Sequence, residues 1–146
     1  MLDGGSIALE NVRVPAESLG LCWWDMVTNK FCGDAEVARI FAIDAEELKS
    51  GVPVEALLGC LHASDRKRIA KSLHTAIIQD TVCRESYRVH LGKGRYREVL
   101  SVLRCFGYSE GLPTNCTGFI CELQASDMQP APPPQNWTNV VRLQRG

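Results

Sequence analysis

The chain has 146 residues, 45% hydrophobic and 23% charged, with a formal net charge of −1. Such values suit one globular domain that buries roughly two thirds of its unfolded surface, and so small a net charge gives no overall field to recruit nucleic acid or an acidic membrane. No apolar run is long enough to span a bilayer, and residues 1–12 lack the basic-then-apolar pattern of a secretion signal, so a cytoplasmic location without membrane contact is expected.

Residues 6–18 allow a partial amphipathic helix ahead of the domain. Residues 20–26 read as a strand, and Thr28-Asn29 as the turn into a short partner at 30–32. Asp34 is placed to cap a helix whose Val37, Ile40 and Phe41 share one face. Asp44, with Glu47 three residues on, signals a second short helix. Gly51 and Pro53 punctuate before the apolar turn at 54–61. Ser64 or Asp65 then caps the longest helix, which reaches about Gln79. Its Ile69, Leu73 and Ile77 recur every four residues with Ala70 and Ala76 beside them. Arg66, Lys67, Arg68 and Lys71 fall largely on the other face, which reads as solvated, with an acidic partner as the alternative. Three strands follow: 84–91, 95–106 after the hairpin signal Gly92-Lys93-Gly94, and 117–123 after a loop at 107–114. Two strands, then helices, then three strands suit an α+β sheet with helices on one face.

Seven cysteines (22, 32, 60, 83, 105, 116 and 121) form no Cys-x-x-Cys and match no usual zinc spacing. Several stand in apolar strand-like runs, where a thiol acts as a small hydrophobe, so reduced structural thiols and no metal are expected. Past Ser126, the run Gln129-Pro130-Ala131-Pro132-Pro133-Pro134 favours extended backbone. The expected organisation is a flank at 1–19, one domain at 20–125 and a Pro-rich flexible tail at 126–146.

Residues 20–124 resemble a PAS domain, in particular the bacterial subgroup in which a His-Pro-Asp-Asp-Arg segment opens the long helix. Trp24-Asp25 with Thr28-Asn29, Phe41-Ala42-Ile43-Asp44, His62 with Asp65-Arg66, Tyr87-Arg88-Val89 followed by Gly94-x-Tyr96-Arg97, and the closing stretch from Gly118 to Leu123 carry the likeness. Each alone is unspecific, but together they stand in the family's order. Cys22 replaces an aromatic of the common Trp-x-Trp-Asp pattern, Ala63-Ser64 replace Pro-Asp, and Glu98 stands where the subgroup often has Trp.

The resemblance implies a single PAS fold, a five-stranded antiparallel sheet with helices over one face. It also implies a non-enzymatic sensor or docking module in bacterial signal transduction. A small ligand would sit in a cavity lined by Trp24, Phe41, Leu58, Leu73, Ile77, Tyr87 and Leu103. The cofactor is left open. Haem is disfavoured because Ile69 follows Asp65-Arg66-Lys67-Arg68 where oxygen-sensing relatives place the ligating histidine, and His74 reads as a flank or surface residue. Covalent flavin is disfavoured because Cys60, in Leu58-Gly59-Cys60-Leu61, lacks the reactive-cysteine context. His62 reads as a hydrogen-bonded start of the long helix. With the Pro-rich tail opposing a continuous output helix, signalling is expected through association, as a homodimer or with a partner such as a histidine kinase. The alternative is a small α+β isomerase or hydrolase using the same cavity, with Glu85 and Glu98 as its candidate carboxylates.

Overall fold

The computed structural model describes residues 6–9, 12–15 and 18–123; the tail at 126–146 lies outside them. The chain opens with β1 (Ser6–Leu9) and β2 (Val12–Pro15), an antiparallel pair that sets Ser6 opposite Pro15 and Leu9 opposite Val12. This hairpin replaces the helix expected over 6–18. Val12-Arg13-Val14 alternates with period two in β-branched residues, and Pro15 cannot donate within a helix.

β3 (Gly20–Asp25) and β4 (Lys30–Gly33) follow, then α1 (Ala35–Phe41), α2 (Ala45–Ser50), α3 (Val54–Gly59) and α4 (Ala63–Gln79). Last come β5 (Cys83–Gly92), β6 (Arg95–Ser109) and β7 (Leu112–Glu122). The expected caps of the first two helices form: Asp34 Oδ1 accepts from Val37 N at 3.1 Å, and Asp44 Oδ2 from Glu47 N at 3.0 Å.

β3 to β7 build a five-stranded antiparallel sheet in the order β4-β3-β7-β6-β5. The loop expected over 107–114 is instead strand on both sides of a two-residue turn. Glu110 and Gly111 have φ of 53° and 82°, the left-handed pair that a two-residue hairpin requires. Gly118 lies where β7 passes β6 so closely that a Cβ would collide with the carbonyl oxygen of Val102.

Helices cover one face of this sheet. Val37, Ile40, Phe41, Leu48, Val89, Val99 and Ile120 form the buried centre of the core between the two layers. Because strand side chains alternate between faces, the next residues along, Leu100 and Cys121, turn to the opposite face, where they cluster with Leu123, Leu19 and Val102.

Candidate functional site

The core is not filled everywhere. A cavity of about 50 Å³ lies between the sheet and the cover made by α1, α3 and α4. Its lining is Phe31, Phe41, Val54, Leu57, Leu58, Leu61, Ile69, Leu73, Cys83, Tyr87, Ser101, Leu103 and Ile120. The volume is far below the several hundred Å³ of a drug-sized pocket and admits only a molecule of a few heavy atoms. One end is polar. The Tyr87 hydroxyl is hydrogen-bonded with Ser101, while burial pushes its pKa well above the usual tyrosine range. Burial likewise raises the Cys83 thiol, which Ser72 partly offsets. Both groups are therefore neutral near pH 7.

Five of the residues expected here, Phe41, Leu58, Leu73, Tyr87 and Leu103, line this space; Trp24 and Ile77 do not. Trp24 packs against the rim of the core, with Nε1 donating to Asn29 Oδ1 at 2.9 Å, which ties it to the β3–β4 turn. Ile77 stands about 12 Å along the helix from Ile69, past the end of the space. Ser101 escaped the sequence reading because a lone serine in an apolar strand looks like a packing residue. The alternation with Val99 and Leu103 already put it on their face.

The lining does not fit haem or a covalently attached flavin. Ile69 faces the cavity without a ligating atom, the lining holds no imidazole or thioether, and neither cofactor fits in about 50 Å³. Cys60 lies outside the lining, its thiol donating to the Ala56 carbonyl at 3.3 Å in the last turn of α3. Nor does the lining hold a carboxylate. Glu85 Oε1 accepts from Arg68 Nη1 at 2.8 Å, and its Oε2 from Ser72 Oγ at 2.7 Å, outside the cavity. Glu98 is exposed, and its carbonyl accepts from Leu123 N at 2.8 Å.

The cover is fixed to the sheet along β5. Leu61 bridges Val89, His62 N donates to the Arg88 carbonyl at 2.8 Å, and His90 N to that of Cys60 at 2.8 Å. Neither Ser64 nor Asp65 caps α4. His62 does, its Nδ1 accepting from Ser64 N at 3.0 Å. The side chain of Asp65 turns instead to Arg88: Oδ2 accepts from Arg88 N at 2.9 Å and Nε at 3.0 Å, and Oδ1 from Nη2 at 3.0 Å. Those bonds outweigh the cost of burial and hold the carboxyl at about 2. Arg66 donates to the carbonyls of Leu61 and Gly59, closing the end of α3. The expected solvated cationic face is thus divided: Arg66 and Arg68 have structural partners, whereas Lys67 and Lys71 stand exposed. On the far side of the cover, Arg97 reaches Glu122 at 3.1 Å and the Ile40 carbonyl at 2.6 Å, satisfying the end of α1.

The opposite sheet face carries an aromatic patch. Trp23 is half exposed and meets Phe106 edge-on at 5.9 Å, with its Nε1 donating to Asn115 Oδ1 at 3.2 Å and Leu21 exposed nearby on the same strand.

Solved sensory domains share this architecture. A sensory box histidine kinase/response regulator from Burkholderia thailandensis superposes with a TM-score of 0.64 at 20% identity, covering 89% of each chain. The N-terminal domain of a diguanylate cyclase with PAS/PAC sensor from Marinobacter aquaeolei gives 0.62 at 14% identity, over 71% of this chain and 94% of that one. The fold is that of a PAS domain. A domain of the putative light and redox sensing histidine kinase from Haloarcula marismortui agrees, at 0.61 and 13% identity over 73% of this chain and 90% of that one. No family model and no curated protein matches the chain. At such identities the likeness is one of fold.

Proposed function

We propose that this PAS domain is a non-catalytic cytoplasmic sensor module that binds a small molecule in the space under α3 and α4. The observation that carries the reading is a small, partly open apolar cavity whose lining includes the hydrogen-bonded pair Tyr87 and Ser101, under a cover fastened to the sheet at its rim. The chemistry suits a compact, largely apolar ligand with at most one hydrogen-bonding group. Binding shifts the domain only if the ligand prefers one arrangement of the cover over another. The packed Leu57, Leu58, Ile69 and Leu73 are the side chains that would register it. The output is association of a second copy through the Trp23–Phe106 face, which supplies aromatic area beside the exposed Arg104.

Glu85 and Glu98, the carboxylates that the enzyme alternative would use, lie off the cavity.

The test is native mass spectrometry with a visible absorption spectrum on freshly purified full-length chain. A retained small organic molecule, lost in Leu73→Trp but kept in Trp23→Ala, and a dimer lost in Trp23→Ala are expected. A chain that emerges without a ligand and binds none from a library of small apolar compounds contradicts the sensor reading. A monomer that instead captures a histidine kinase contradicts only the homodimer.

A further inference from the structure

A second concavity lies outside the cover and has no role in the reading above. It is an open groove of about 690 Å³ between α4 and the start of β5, lined on the helix by Lys67, Arg68, Lys71 and Thr75 and on the strand side by Arg84 and Glu85, among others. β5 is an edge strand of the sheet, and the chain segment that bridges it does so at Val89, towards its other end. Arg68 is paired with Glu85 here, so the charge the groove offers a ligand is that of Lys67 and Lys71, in a chain whose formal net charge is −1. Glu85 cannot balance them: its two oxygens are already taken by Arg68 and Ser72. Lys67 and Lys71 are exposed and make no ion pair or hydrogen bond among the described residues.

We propose that this groove binds an extended acidic peptide segment of a partner protein, one with carboxylates at alternate positions. Spacing selects that form. Lys67 and Lys71 are four apart on a helix and so lie about 6 Å from each other on one face, whereas residues two apart on an extended chain lie about 6.6 Å from each other on one side. From Lys67 to Thr75 the groove runs about 12 Å, the length of three to four extended residues. The hydroxyl of Thr75 adds a partner for the peptide's backbone, and the groove's charge would draw an acidic partner in at low salt. The chain's own tail is a poor occupant, since residues 126–146 hold one acidic side chain, Asp127, against Arg142 and Arg145. The inference does not depend on the cavity having a ligand.

The experiment is fluorescence anisotropy on the full chain with a dye-labelled peptide Ser-Glu-Thr-Glu-Thr-Ser. Its controls are the Gln-for-Glu peptide and a peptide with the two glutamates adjacent. The expected result is binding at least tenfold weaker for either control, and at least tenfold weaker for the Lys67→Gln/Lys71→Gln double variant. The thermal midpoint of that variant should stay at the wild-type value, and Lys30→Gln/Lys93→Gln should bind as wild type does. Three results would overturn the proposal: no binding of the glutamate peptide, binding indifferent to Lys67 and Lys71, or equal binding of the adjacent-glutamate peptide. Displacement of the peptide by equimolar inorganic phosphate, or two-lysine-dependent sedimentation with phosphatidylserine vesicles in place of peptide binding, would also overturn it in favour of another anion.

Discussion

The long helix presents two different kinds of chemistry to the sheet within three turns. At its start, Asp65 is fixed by three hydrogen bonds from Arg88, so every polar atom there has a defined partner. Further along, Ile69 and Leu73 face an apolar space that is incompletely filled. The polar end specifies where the helix sits. The apolar middle is held by contacts that carry no direction, beside space that leaves room for repacking. A sensor needs both, because an anchored end turns looseness in the middle into a defined displacement.

The largest predicted effect breaks the anchored end. Asp65→Ala leaves two arginines facing an empty site and should lower stability by about 2–4 kcal/mol, read by urea unfolding. At the loose middle, Leu73→Ala should cost about 2–3 kcal/mol, at the low end of core truncations because the site already contains space. It should also widen the range of small molecules taken up.

The pH dependence separates the two further. The carboxyl of Asp65 lies at about 2 when folded against an ordinary 3.8. Its stabilisation is therefore complete above about pH 5 and is lost as the pH falls towards 2, about 1–2 kcal/mol after allowing for solvent around Arg88. Asp65→Asn should flatten that limb of the stability curve, whereas Leu73→Ala should leave its slope unchanged. The smallest effect sharpens the boundary of the cavity. Trp24→Phe removes the bond to Asn29 and should cost about 1 kcal/mol, with small-molecule uptake unaltered because Trp24 lies off the lining.

Much of the fold was legible because the strands and helices of the domain carry their own periods and caps. Asp34 and Asp44 cap the helices as their positions suggested, and Lys93 and Gly94, with φ of 54° and 71°, make the turn that Gly92-Lys93-Gly94 announced. The stretch from Gly107 to Thr114 was harder. Pro113 demotes a strand reading, yet here it lies within β7 opposite Tyr108, and the turn residues Glu110-Gly111 were the better signal. At the site, helical periodicity found Leu73 but also offered Ile77, because a stripe of residues does not say where the sheet beneath it leaves room. The role of Asp65 was hidden for a similar reason: its partner Arg88 is 23 residues away, and a local pattern presents Asp65 only as a residue of the helix start.

The most direct test of the sensor account is NMR of the methyl groups with xenon, whose size matches a cavity of about 50 Å³. The account predicts saturable shifts confined to methyls of the lining, Leu58, Ile69, Leu73 and Leu103 among them, with Ile77 and Val27 unmoved, and their loss in Leu73→Trp. Shifts spread evenly over the surface methyls, or none at the methyls of the lining, would contradict it.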